Sequence, residues 1–246
     1  MVQSTDPQTA DQTADPTADP MIEFKRQVAE EAAAMVRDGM AVGLGTGSTS
    51  AMMIDALGRR WAQGLRFVAI PTSERSAAQA RGHGITLVSF ATHPQLDLAI
   101  DGADEVERGS LNLVKGLGGA LLREKIVAAA ARRFIVMVDE SKLVDHLGSH
   151  APIPVEVTPF GWESTARQLG ELGARVSPRM DRDGNLFVTD GGNMILDCAF
   201  GPIADPPGLA ADIRRIVGVI ETGLFIGRTS EVLVAGRHGL TRLVAA

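Results

Sequence analysis

The chain has 246 residues, with 24 Lys plus Arg against 30 Asp plus Glu, a formal net charge of −6 and one cysteine, Cys198. That length suggests one large domain or two modest ones, and a lone cysteine excludes an intramolecular disulfide framework and fits a reducing, cytoplasmic setting. Tyrosine is absent, aromatics make up 4% and no basic cluster offsets the acidic balance, which argues against a nucleic-acid partner. The apolar runs are strand-sized, too short for the ~20 residues that span a bilayer.

Residues 1–20 contain the unit Thr-Ala-Asp-Pro twice, at 13–16 and 17–20, and almost no large apolar side chain. They read as a disordered, dispensable tail. The segment lacks the basic start and apolar centre of a signal peptide, and its charge is opposite to that of a transit peptide. The fold is expected to begin near Ile22.

From residue 22 to 37, apolar residues recur at helical spacing up to the Asp38-Gly39 stop. A buried strand over 40–45 leads through a Gly/Ser/Thr turn to a helix over 51–57. A strand at 67–70, a helix at 73–81 and short strands at 85–88 and 96–100 follow. Next come a strand at 111–114, a helix at 120–132 and a strand at 134–138. This alternation makes a parallel sheet with helices on both faces. After residue 150 the pattern changes. A strand at 153–157, a helix at 163–172 and a strand at 174–176 precede a hairpin of 186–189 with 194–199 that turns at Asp190-Gly191-Gly192-Asn193. A helix at 209–216 and a strand over 219–225 complete an order that resembles a split βαβ, ferredoxin-like unit. Strands at 231–235 and 240–244 return to the first unit. The expected division is an α/β domain of 21–150 plus 226–246 and a smaller α/β domain of 151–225.

Chemistry can reside in three stretches. Gly43-Leu44-Gly45-Thr46-Gly47-Ser48-Thr49 lies between strand and helix, where tight turns, hydroxyls and unpaired helix N–H groups suit a phosphate. A tight turn with a capping hydroxyl accounts for the same residues. A dinucleotide fingerprint fails because position 50 is Ser, and a Walker loop fails because it has no Lys. Asp101-Gly102-Ala103-Asp104-Glu105 follows a strand, at the sheet edge where ligands of open α/β sheets bind. Crowded carboxylates can raise one pKa enough for acid chemistry near neutrality; a solvated acidic turn or a Mg²⁺ site reads the residues as well. Lys115 and Glu124 lie nine residues apart across a Gly-rich loop and the first turn of a helix. Facing one cavity, they would serve as oxyanion stabiliser and base; surface charge on an ordinary helix is the bland reading. Lys142 follows a strand at the same edge. His146 and His150 lack a third ligand, so no metal site is expected.

Together these motifs resemble the type A ribose-5-phosphate isomerase family. The matching stretches are Gly-Thr-Gly-Ser-Thr at 45–49, Pro-Thr-Ser at 71–73, Asp-Gly-Ala-Asp-Glu at 101–105 and the segment from Lys115 to Glu124. Asp-Glu-Ser-Lys at 139–142, Pro-Val-Glu-Val at 154–157 and Gly-Leu-Phe at 223–225 match in order. The resemblance implies a Rossmann-like catalytic domain with a smaller, ferredoxin-like α/β domain used in oligomer contacts. It also implies interconversion of D-ribose 5-phosphate and D-ribulose 5-phosphate through an enediolate, without a cofactor, in a homodimer or homotetramer. It makes Glu124 the base and Asp101, Asp104 and Lys115 the rest of the reaction centre. Of the two aspartates, Asp101 is expected to shuttle hydroxyl protons and Asp104 to orient the sugar. It places Thr46, Gly47, Ser48, Thr49, Gly102, Ala103, Gly116, Leu117, Gly118, Lys142 and Lys25 around the substrate. Leu117 departs from the Gly found there in many members. Two rivals remain: a sugar-phosphate sensor, which has no need for Glu124 with Lys115, and a nicotinamide oxidoreductase, which needs a repaired glycine fingerprint.

Overall fold

The computed structural model describes residues 20–244; the tail read from the sequence at 1–20 lies outside them except for Pro20. The elements in chain order are α1 (Pro20–Ala34), β1 (Ala41–Leu44), α2 (Ser48–Ala62), β2 (Val68–Pro71), α3 (Glu74–Gly82), β3 (Thr86–Leu87), β4 (Leu98–Gly102), β5 (Glu105–Glu107) and β6 (Leu113–Val114). They continue with α4 (Leu121–Ala130), β7 (Phe134–Asp139), β8 (Leu143–Val144), β9 (Ile153–Val157), α5 (Trp162–Glu171), β10 (Arg175–Pro178) and β11 (Met194–Ala199). Last come α6 (Pro206–Arg215), β12 (Val219–Thr222), β13 (Leu224–Phe225), β14 (Glu231–Gly236) and β15 (Gly239–Val244). The first helix thus opens two residues before Ile22.

The main sheet runs β15-β14-β7-β4-β1-β2-β3 and is parallel except for β15. Its inner strands β1, β4, β7 and β14 bury both faces, as their near-continuous apolar sequences require. On one face Val42, Leu44, Ile100, Met137 and Leu233 pack with Val28 and Ala32 of α1 and Met53, Ile54 and Leu57 of α2. On the other, Ala99, Val136, Val138 and Val234 pack with Val127 of α4 and with Phe225. From β1 the chain winds one way to β2 and β3, then returns to β4 and winds the other way. The reversal between β1 and β4 opens a crevice at their carboxyl ends, where open α/β sheets hold ligands.

The second sheet, β10-β11-β9-β12, is antiparallel, and its βαββαβ chain order is that of a ferredoxin-like unit. Ile153, Val155, Val157, Leu196, Leu169 and Ile213 form its core with α5 and α6. A small third sheet, β13-β6-β5-β8, joins the two, and its β5 and β8 were not foreseen from the sequence.

Two expected strands change. The strand expected over 219–225 is split between two sheets at Gly223, where a Cβ would stand 2.2 Å from the Lys115 carbonyl oxygen. Only glycine lets this chain pass so close to the backbone of Lys115. Residues 186–189 do not form a hairpin strand and keep isolated bridges, Met180 with Leu186 and Val188 with Met194. Their contacts go elsewhere. Phe187 lies against Gly119, and the Asp190 carboxylate accepts the first N–H of α3 from Glu74 at 2.9 Å.

Candidate active site

The crevice is a cleft of about 150 Å³. Its lining includes Lys25, Thr46, Gly47, Ser48 and Thr49 from α1 and the β1–α2 turn, and Gly102, Ala103 and Asp104 beyond β4. Lys115, Gly116 and Gly118 come from the loop after β6, Glu124 from α4, and Asp139 and Lys142 from the end of β7. The structure therefore brings the three sequence stretches to one place.

At its floor Lys115, Asp101 and Glu124 are 2%, 3% and 4% exposed. Lys115 Nζ lies 2.9 Å from Asp101 Oδ2 and 3.5 Å from Glu124 Oε2, and donates to the Gly102 carbonyl at 2.6 Å. Burial opposes charge on Lys115, but Asp101, Glu124 and Asp104 overcome it and hold the ammonium above its ordinary pKa. Glu124 is placed by the first turn of α4, and its Oε2 is buried with no hydrogen-bond partner. Burial pushes its carboxyl up to about 8; Lys115 opposes the shift, and Asp101 and Asp104 add to it. Such an acid is tuned for proton transfer near neutral pH.

The two aspartates differ. Asp101 Oδ1 accepts from Thr46 N at 3.0 Å, Ser50 Oγ at 3.0 Å and Gly102 N at 2.8 Å, while Oδ2 faces Lys115. Gly45 makes room for it: a Cβ there would stand 2.1 Å from Asp101 Oδ1. Asp104 lines the cleft and accepts only the Leu117 N–H, at 3.0 Å on Oδ2. Burial raises its pKa, against the pull of that N–H, Lys115 and Lys142. The expected proton shuttle at Asp101 therefore fits this arrangement poorly, because both its oxygens are committed.

The Gly-rich turn is used in two ways. Gly47, at φ +117°, caps α2 without a side-chain bond, so the first N–H groups of the helix keep no side-chain acceptor. Ser48 and Thr49 line the cleft beside them, and Lys25 Nζ donates to Ser48 Oγ at 3.2 Å. The Thr46 hydroxyl, expected to meet phosphate, turns inward. It meets Thr72 Oγ1 at 2.7 Å and Ser73 Oγ at 2.8 Å, and Ser76 Oγ donates to the Gly45 carbonyl at 2.7 Å. This buried hydroxyl cluster pins the turn to β2 and α3. Sequence reading marked Pro-Thr-Ser at 71–73 as a matching motif but gave it no task. The departure at Leu117 is harmless. The left-handed conformations of the loop fall at Gly116 (φ +111°) and Gly119 (φ +85°), and the Leu117 side chain is exposed. Arg179, which sequence reading missed, reaches the same loop from beyond β10 and donates to the carbonyls of Gly116 and Leu117. No motif marks it.

A parallel α/β sheet carrying a buried acid–lysine pair in a crevice at its switch point defines an enzyme-like proton-transfer site, of the class that suits sugar-phosphate isomerases. The family model of ribose 5-phosphate isomerase A (phosphoriboisomerase A) matches residues 68–239. Ribose-5-phosphate isomerase A of Gluconobacter oxydans is 63% identical over 217 residues, covering 88% of this chain and 94% of the relative. That of Gloeobacter violaceus is 58% identical over 216 residues, with 88% and 94% covered. The solved ribose 5-phosphate isomerase A of Methanocaldococcus jannaschii superposes with a TM-score of 0.86 at 43% identity, covering 90% of this chain and 98% of its own. A D-ribose-5-phosphate isomerase solved in complex with phospho-erythronic acid gives a TM-score of 0.87 at 40% identity, covering 90% and 98%. The chain belongs to the ribose 5-phosphate isomerase A family and is an isomerase.

Proposed function

We propose that the protein interconverts D-ribose 5-phosphate and D-ribulose 5-phosphate in the non-oxidative pentose phosphate pathway, in the cytoplasm and without a cofactor. The observation that carries this reading is the buried Glu124 carboxyl, raised to about 8, whose Oε2 lies 3.5 Å from the Lys115 ammonium with no hydrogen bond among the described residues. Ionised, Glu124 removes the proton from C2 of the open sugar. The electron pair moves to the C1 carbonyl oxygen, and the enediolate charge is met by Lys115. Glu124 then returns the same proton to C1, while the C2 hydroxyl proton is transferred to the C1 oxygen, which leaves a ketone at C2 and a hydroxyl at C1. Asp104, with one oxygen uncommitted, takes the hydroxyl contacts and the accompanying proton movements. Asp101 keeps Lys115 charged and the β1–α2 turn in place.

The phosphate end fits the start of α2, with the Ser48 and Thr49 hydroxyls and the Lys25 ammonium beside it and Lys142 in the same cleft. Thr46, Gly47, Gly102, Ala103, Gly116 and Gly118 shape the walls, whereas Leu117, expected around the substrate, turns an exposed side chain to the surface. The domains are residues 21–150 plus 226–246 for catalysis and 151–225 for contacts in a homodimer or homotetramer. Phe160 and Val217 of the smaller unit, 94% and 84% exposed, support an interface there. Among the described residues no helix is long and apolar enough to cross a membrane. Incubation of the purified protein with ribose 5-phosphate, followed by ketose formation, tests the reading; absence of ketose sinks it.

A further inference from the structure

Arg179 follows β10 of the smaller sheet, and its side chain is only 11% exposed. Its guanidinium forks onto Asp197 of β11, with Nε donating to Oδ2 at 2.9 Å and Nη2 to Oδ1. Nη1 remains, and it donates to the Gly116 carbonyl at 2.7 Å and the Leu117 carbonyl at 3.1 Å. Gly119 N also donates to the Gly116 oxygen, at 3.0 Å. The peptide between Gly116 and Leu117 is thus held at both ends: its carbonyl by Arg179, its N–H by Asp104 Oδ2 at 3.0 Å. A peptide is planar, so fixing the carbonyl fixes the direction of the N–H. A forked guanidinium can hold a carboxylate and two carbonyls together; an ammonium, as a point charge, cannot match that geometry.

We propose that Arg179, locked by Asp197, is a positioning residue of the isomerisation, which sets the Asp104 carboxylate in the cleft through the Gly116–Leu117 peptide. The proposal rests on the reading that Asp104 meets the sugar. It gives the smaller sheet unit a part in catalysis, since a side chain from its surface orients a wall of the cleft. Misplacement of a substrate-orienting group by about 1 Å can cost on the order of 100-fold in rate.

The test compares Arg179→Met, Arg179→Lys and the double variant Arg179→Met/Asp197→Leu with the unsubstituted chain. Arg179→Met is expected to lower kcat about 10- to 100-fold with a smaller change in KM. Arg179→Lys should recover the melting temperature further than it recovers kcat. The double variant removes both charges, and apolar pairs commonly replace ion pairs without loss of stability; its melting temperature should recover while kcat stays low. Asp104 faces Lys115, Lys142, Asp101 and the Leu117 N–H. Losing the Arg179 hold frees the Gly116–Leu117 peptide, so amide hydrogen exchange at Leu117 quickens in Arg179→Met. A kcat within threefold of the parent, or recovery of kcat together with stability in the double variant, overturns the proposal. If the unsubstituted chain makes no ketose, the proposed function fails instead, and unchanged Leu117 exchange in Arg179→Met would still refute the hold on the loop.

Discussion

Two buried lysines lie near the Phe225 ring, Lys115 Nζ at 5.6 Å and Lys125 Nζ at 4.8 Å from its centroid, and they are opposites. Lys125 is saturated: its ammonium donates to Glu221 Oε1 at 3.0 Å, the Thr222 carbonyl at 2.5 Å and the Leu224 carbonyl at 2.8 Å. Even so, burial lowers its pKa to about 8, against the pull of Glu221. It ties α4 to β12 and β13. Lys115 has carboxylates in excess, which hold it charged, and one of them, Glu124, faces it at 3.5 Å through an oxygen that accepts no hydrogen bond among the described residues. Burial is common to both sites. Access and an unspent acceptor separate a reaction centre from a structural tie.

The sharpest way to break the contrast is to remove the unspent acceptor. Glu124→Gln should lose about 10²- to 10⁴-fold in kcat, because the amide cannot accept a carbon-bound proton. Steady-state kinetics checks this, and a value within a few-fold of the parent would remove Glu124 as base. The same variant should be more stable than the parent. Burial pushes the folded Glu124 carboxyl up to about 8 from its ordinary 4.5, so between these values the folded state binds more protons. Its contribution to stability is complete below 4.5 and is lost as pH rises through 8. The melting-temperature advantage of Gln should therefore grow from pH 5 to pH 8.

Next in size is Lys115→Met, expected to lose about 10²- to 10³-fold in kcat as the enediolate loses its cation. Lys115 also holds the Glu124 pKa down, so the alkaline rise of kcat/KM should move to higher pH in this variant. An unshifted profile would separate the two groups.

Lys125→Met should do the reverse and damage stability more than chemistry. Stranding Glu221 in the interior costs roughly 3–5 kcal/mol, readable by denaturant unfolding, and kcat of the folded fraction should stay within a few-fold. A large kcat loss at unchanged stability would make Lys125 part of the reaction centre. The smallest effect is in the parent itself. Its kcat/KM should climb with pH up to about 8 and then level, since the free enzyme must ionise Glu124 to act. A profile flat from pH 6 to 9 would contradict that.

The sequence by itself determined the alternation of strands and helices, because apolar period and glycine stops are local properties. It also marked Glu124, Lys115, Asp101 and Asp104 as candidates, because they lie on motifs that end strands or begin a helix. Tertiary structure alone decided the rest. The strand over 219–225 breaks at Gly223 because the Lys115 backbone passes within 2.2 Å of where a Cβ would stand, a contact between segments remote in sequence. Asp101 and Asp104 look alike in sequence, yet one is spent on Thr46, Ser50, Gly102 and Lys115 while the other keeps a free oxygen in the cleft. Arg179 carries no motif at all, and its part follows from the docking of one sheet unit against a loop of the other. Hydrogen-bond partners and desolvation depend on which surfaces meet in three dimensions, and those are the terms that set the pKa of a carboxyl and the reach of a guanidinium.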